Sequence, residues 1–267
     1  MNQESRNYRQ NDSVILRDDH SNGITTITLN RPNQYNALSE ELLHSLKKTL
    51  RSIGSDNTVR VVILASAGKA FCAGHDLKEL RSQSEETYYN DLFQLCSEVM
   101  MDMVKLPQPI IAQVQGMATA AGCQLVANSD LAIASMDAQF AVSGINLGLF
   151  CSTPSVPLTR NVSRKHAFEM LVTGRFINAE TAVEFGLINQ VVSPDELCST
   201  VADLAKNIAS KPTESIRIGK AVFYEQIEQG LSSAYATAGK VMAANMMFDQ
   251  TQEGIDAFIG KRDPDWD

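Results

Sequence analysis

Two stretches of the chain combine small residues with the start of a helix: FCAGHDL at 71–77 and GMATAAGCQLV at 116–126. Each follows an apolar run of the kind that forms a buried strand, Val59–Ala65 before the first and Pro109–Val114 before the second. In an open α/β body, ligands sit at the carboxyl ends of the strands, which places both turns at one end of the molecule. Glycine and alanine there let a ligand approach the backbone, and N–H groups at a helix start carry the positive end of its dipole. Two such N–H groups aimed at one point can stabilise charge developing on a carbonyl oxygen. The same small residues also suit close packing of a helix on a strand, and spacing alone leaves both readings open.

The elements that must hold these turns alternate along the chain. Val14–Arg17 and Ile24–Leu29 are β-rich runs split by the turn residues DDHSNG, a hairpin pattern. Ser39 is placed to cap a helix that carries Leu42, Leu43, Leu46, Leu50 and Ile53 at helical spacing. GKAFCAGHDLKEL reads as a loop, and a second helix over 88–106 follows with Leu92, Leu95, Val99, Met103 and Leu106 on one face. Leu131–Ala134 and Asn189–Val192 are further short strands, and a helix is expected from about Pro194 to Ser210. The pattern repeats roughly every forty residues, which predicts β-β-α or β-α units wound into one layered α/β body. KPTES at 211–215 ends it, and 216–259 read as helices rich in Ala and Met. Such helices outside a complete core pack on another subunit or form a lid on their own; subunit contact is the reading adopted.

With 267 residues and 44% hydrophobic content, the chain can bury a large core. Its longest apolar runs fall far short of the ~18 residues that cross a bilayer, so no membrane partner is expected. The net charge of −8, spread along the chain, argues against a nucleic-acid surface. Five scattered cysteines lack metal-ligand spacing and are read as reduced thiols, and no metal site is expected. The first residues lack both a signal core and the basic character of a transit peptide, which predicts a cytoplasmic location.

Several motifs together, LNRPNQYNAL, GKAFCAGHDLKEL, PQPIIAQVQGMATAAGCQLVANSDLAIAS, AQFAVSGINLGL and EMLVTGRFINAETAVEFGLINQVV, resemble the crotonase superfamily, the enoyl-CoA hydratase/isomerase family. The likeness runs from about Val14 to Arg262, and ATAAGCQLVA and GLFCSTP are similar to the subgroup of enoyl-CoA hydratase domain-containing protein 3. The resemblance implies a crotonase-like spiral of β-β-α units over 13–210, a flexible N-terminus at 1–12, and a C-terminal helical trimerisation region over 211–267. It implies a homotrimer or a dimer of trimers, no permanently bound cofactor, and coenzyme A arriving as part of an acyl-CoA substrate. By residue, it places the two oxyanion N–H groups at His75 and Ala121, the adenine against Ala73, Gly74, His75, Asp76 and Leu77, and the pantetheine beside Ala37 and Leu38. Phe258 and Lys261 are similar to C-terminal residues that reach the coenzyme, the lysine near its phosphates.

Hydration of an enoyl thioester also needs proton transfer, and the family's hydratases use two glutamates for it. The matching positions here are Gln124 and Gly144, and neither side chain transfers a proton. No glutamate lies between Glu98 and Glu169; the carboxylates in that span are Asp102, Asp130 and Asp137, of which Asp130 matches a structural position. The remaining proton carriers are the His75 imidazole and, on a nearby loop, Glu79, Glu85 or Glu86; Cys151 and Ser152 lie in the loop expected over the acyl end. The expectation is a thioester-binding enzyme of the enoyl-CoA hydratase/isomerase type with its usual acid–base pair replaced. The alternatives are a binding paralogue without turnover, or a different thioester reaction such as decarboxylation or hydrolysis.

Overall fold

The structure, a computed structural model, describes residues 13–266, so the segment 1–12 expected to be flexible lies outside the described residues. The chain opens with an antiparallel hairpin of β1 (Ile15–Asp19) and β2 (Ile24–Leu29). A tight loop leads to α1 (Glu40–Gly54), where the Ser39 hydroxyl accepts from the Leu42 N–H at 3.2 Å and fills one of the helix's orphan donors. The five apolar residues expected on its inner face are all buried. Next come β3 (Val61–Ser66), β4 (Ala70–Cys72), α2 (Leu77–Ser82) and α3 (Glu86–Lys105). The same order returns in β5 (Ile110–Val114), β6 (Met117–Thr119) and α4 (Ala121–Asn128), and again in β7 (Leu131–Ser135) and β8 (Gln139–Ala141). The chain continues through α5 (Ser152–Asn161), α6 (Arg164–Thr173), β9 (Ile177–Asn178), α7 (Ala179–Glu184), β10 (Gln190–Val192) and α8 (Leu197–Ala209).

From β3 to β8, successive strands alternate between two sheets. One has the order β1-β2-β3-β5-β7-β10, parallel from β2 onward; the other is β4-β6-β8-β9. Each repeat therefore lays a strand in the large sheet, a strand in the small sheet, and then a helix. This is the spiral expected, although β4, β6 and β8 are absent from the sequence-based reading. Three residues are too few to show a two-residue period, and β4 sits inside the stretch read as a loop.

The large sheet is covered on both faces, as its continuous apolar strands require. On β3, Val62 and Leu64 face the main core with α1 and α3, while Val61, Ile63 and Ala65 face α8 through Val201 and Ala205. Each such fully buried aliphatic side chain contributes roughly 1.5–3 kcal/mol relative to exposure.

After residue 211 the chain is helical among the described residues: α9 (Thr213–Gln226), α10 (Leu231–Asn245) and α11 (Asp249–Gly260). Lys220 pins α9 to the spiral, donating to Met103 O at 3.1 Å, Gln108 O at 3.0 Å and Asp130 Oδ2 at 2.7 Å. Asp130 also accepts from the Ile110 N–H and the Tyr224 hydroxyl, so its role is structural. Burial drives the Lys220 pKa below its ordinary value against the pull of Asp130. α10 packs on α9, and its apolar side chains Leu231, Tyr235 and Met242 stay exposed, as does Met247 just beyond its end.

Candidate functional site

Both Gly/Ala turns lie at the carboxyl end of the small sheet and abut. Gly74 has φ +88, and a Cβ built on it meets Ala120 Cβ at 2.9 Å and Ala121 N at 3.2 Å. Gly122 is needed because α4 lies directly over β4: a Cβ there falls 2.1 Å from Cys72 O. Ala120 accepts the left-handed φ of 51° so that the strand can turn into α4.

The backbone of the first turn is almost fully used. Ala73 N–H donates to Tyr35 O at 3.0 Å, Gly74 O accepts from Leu38 N–H at 2.8 Å, and Asp76 N–H donates to Leu38 O at 3.2 Å. Between them, the His75 N–H donates no hydrogen bond among the described residues, nor does the Ala121 N–H at the first position of α4. The two residues line one cavity of about 340 Å³, walled by Leu77, Leu80, Phe93, Leu147, Leu149 and Phe150, with Ser143, Gly144, Cys151 and Ser152 also in its lining. No carboxylate is among its lining residues.

The expected site residues divide. Ala73, His75, Leu77, Ala121 and Gly144 line the cavity; Gly74 and Asp76 shape the turn behind it, and Ala37 and Leu38 brace that turn from the next loop. Phe258 and Lys261 do not line it. Phe258, 86% exposed, sits on α11 and Lys261 caps its C-terminus, while the chain end folds back on the helix, with Gln250 donating to Trp266 O at 3.0 Å. Within one chain, these two residues are therefore not brought together with the others at the cavity.

The two positions expected to match the family's glutamates differ in kind. Gln124 is 3% exposed and does not line the cavity, and its Oε1 is buried with no hydrogen-bond partner among the described residues. Gly144 has no room for any side chain: a Cβ falls 2.5 Å from Leu149 O and 2.8 Å from Cys151 Sγ. The Gly144 N–H donates to that sulfur at 3.3 Å, and the Leu149 N–H returns to Gly144 O at 3.0 Å.

The substitute proton carriers fare poorly. Burial pushes the His75 imidazole down to about 4 against a smaller opposing effect of the Leu38 backbone, so it is neutral at pH 7. Both its ring nitrogens are buried, neither has a partner in full hydrogen-bond geometry among the described residues, and its ring meets Phe93 edge-on at 5.4 Å. Closed off from the cavity, they are not placed to take a proton from a ligand. Burial raises the Cys151 thiol, with the Gly144 N–H pulling the other way, and no base adjoins it. Glu79 is occupied in accepting the Glu40 N–H at 2.9 Å, and Glu85 and Glu86 are exposed away from the lining. Sequence reasoning missed the brace that Arg31 makes to Asp76 at 3.0 Å, since the two lie 45 residues apart.

Known proteins share this architecture. The model of the family described as enoyl-CoA hydratase/isomerase matches residues 19–267. An enoyl-CoA hydratase structure from Mycobacterium smegmatis is 53% identical, with a TM-score of 0.94 over 95% of this chain and 98% of that one. The human enoyl-CoA hydratase domain-containing protein 3 structure is 43% identical, with a TM-score of 0.92 over 95% of this chain and all of that one. The rat protein of that name is 47% identical over 244 residues, 91% of this chain and 81% of its own length. The rat, mouse and human relatives are named mitochondrial, which overturns the cytoplasmic location expected from the composition of the first residues. Carrying the crotonase spiral and this likeness over nearly its whole length, the chain belongs to the enoyl-CoA hydratase/isomerase family.

Proposed function

We propose that the chain binds an acyl-CoA thioester, with the thioester oxygen between the N–H groups of His75 and Ala121, and acts as a hydratase/isomerase-type enzyme that stabilises the thioester enolate. The observation that carries this reading is the pair of unused N–H groups on abutting turns at the wall of an apolar cavity. Donors already aimed at a developing oxyanion need no reorganisation, and one such donor is typically worth 10²–10³ in rate. The pantetheine runs beside Ala37 and Leu38 and the adenine against Ala73–Leu77. Phe258 and Lys261 reach the coenzyme from another copy of the chain in a homotrimer or a dimer of trimers, which is consistent with their distance from their own cavity and with the exposed apolar face of α10.

A second reading is favoured by the filled space at Gly144. Without a general acid–base pair, each group of which is ordinarily worth ~10²–10⁴ in rate, the chain holds thioesters without turnover. A third reading is a thioester reaction that needs no internal acid–base pair, either loss of CO₂ from the α-carbon, where the breaking C–C bond supplies the electrons, or hydrolysis, where solvent water supplies the nucleophile. Calorimetry with a panel of acyl-CoAs, combined with absorbance of a conjugated enoyl-CoA, tests the shared core: binding with a red shift of the thioester band is expected. Gly74→Ala, which wedges a methyl group between the donors, should reduce the shift. Absence of both heat and shift overturns the proposal, and turnover of crotonyl-CoA at ordinary enzyme rates overturns the second reading.

A further inference from the structure

The loop from Arg31 to Ser39 is unusually constrained for a surface connection. Tyr35 and Asn36 are consecutive non-glycine residues at φ 51° and 54°, a backbone region that costs of order 1–3 kcal/mol per residue unless its surroundings enforce it. Fully buried Asn36 supplies that enforcement: its Oδ1 accepts from the Arg31 N–H at 2.8 Å, and its Nδ2 donates to Ala67 O at 2.8 Å and Ala70 O at 2.9 Å. The loop then spends its own backbone on the first cavity turn, bonding Ala73, Gly74 and Asp76 on either side of His75.

Arg31 closes this arrangement. Its Nη1 donates to Ala37 O at 2.6 Å and its Nη2 to Asp76 Oδ2 at 3.0 Å, with both side chains less than one-fifth exposed. The other oxygen of Asp76 accepts from the N–H groups of Lys78 and Glu79 and starts α2. Burial alone would raise the Asp76 pKa, but Arg31 and these N–H groups outweigh it and hold the carboxylate ionised. The guanidinium thus ties the residue before Leu38 to the residue after His75. It leaves the His75 peptide with one direction in which to present its N–H.

Resting on the thioester reading above, we propose that Arg31 is a positioning residue: by joining Ala37 to Asp76 it sets the aim of the His75 N–H, and so the polarisation of a bound thioester carbonyl, without touching the ligand.

The test is the red shift of a conjugated enoyl-CoA on binding, measured beside its affinity. Arg31→Met keeps the aliphatic length and loses both hydrogen bonds; it should lose most of the red shift while binding weakens by no more than about tenfold, the worth of one neutral hydrogen bond. Arg31→Lys, which retains one donor, should recover part of the shift. Arg51→Met, which breaks an ion pair with Asp102 away from the cavity, should leave the shift intact. A folded Arg31→Met protein with the wild-type shift overturns the positioning role. Should that variant not fold, Asp76→Asn decides: it keeps a helix cap but loses the charged partner, and an undiminished shift there is equally fatal. Wild-type protein that binds the thioester with no shift refutes the donor assignment itself, an outcome distinct from failure of the Arg31 variants.

Discussion

Replacing Gly144 tests whether the missing carboxylate is a simple omission or part of the wall. In Gly144→Ala the new Cβ lies 2.5 Å from Leu149 O, about 0.9 Å inside ordinary van der Waals contact, and 2.8 Å from Cys151 Sγ. The carbonyl cannot swing away as a flexible side chain would. Leu149 is tied to Gly144 O at 3.0 Å, Gly148 to Ile145 O at 3.0 Å, and Ser152 to Phe150 O at 2.8 Å, so relief means moving the loop. Overpacking of this kind costs about 1–3 kcal/mol. For a chain of this size that corresponds to a fall in Tm of roughly 2–6 °C, read by thermal denaturation. Adding Cys151→Ala removes the sulfur but not the carbonyl, and should recover only a minor part of the loss. Gly144→Glu places an unpartnered carboxylate in the same crowded, apolar space, so its penalty should exceed that of alanine, and Gln124→Glu with Gly144→Glu should gain no crotonyl-CoA hydration. An unchanged Tm in Gly144→Ala, or hydration by the double variant, would refute the reasoning.

Three further outcomes follow from buried groups and exposed faces. His75 has a folded pKa of about 4 against 6.5 for a free imidazole, so the unfolded chain binds the extra proton first; stability is then complete above about pH 6.5 and falls as pH drops toward 4. Between pH 7.5 and 5 this amounts to about 2 kcal/mol, a loss that His75→Gln should lack in denaturant titrations at the two pH values; equal pH dependence in both proteins contradicts it. Asp130→Ala leaves the Lys220 ammonium buried without its counter-charge and the Tyr224 hydroxyl without its acceptor, which should cost ~3–5 kcal/mol by chemical denaturation. If α10 meets another copy, Met242→Lys together with Met247→Lys should lower the molar mass seen by light scattering, whereas an unchanged mass removes these residues from the interface.

How far the sequence was legible depended on the range of each signal. Periodicity over fifteen residues or more is local, and α1 and α3 bury their marked leucines accordingly. Small residues at the two turns were also readable, because close approach of backbones leaves few residue types able to occupy Gly74 and Gly122. The three-residue strands of the small sheet gave no period, and their existence depends on partners about twenty to fifty residues away. Arg31 and Asp76 each look like ordinary surface charges until the fold places them 3.0 Å apart. The His75 imidazole was a plausible base by residue type; its burial beside Phe93, a matter of packing, removes it from that role.

Gly144 was legible only as a missing side chain, and there the structure changes the chemical question. A site that had lost two carboxylates and nothing else would keep the space for both. Gln124 keeps the shape, since the amide nearly matches a glutamate and remains buried on α4, one turn after the second donor and outside the cavity lining. The other position does not, since Leu149 and Cys151 occupy the volume into which a side chain must grow. The two departures are therefore unequal, one a change of chemistry at constant shape and the other a change of shape that excludes the chemistry. The backbone donors survive both because they belong to the turns themselves, and no side-chain substitution in the cavity wall removes an N–H short of proline. On the proposed thioester reading, polarising the ligand and moving its protons are separable, and the first is the part that the spiral builds from its main chain.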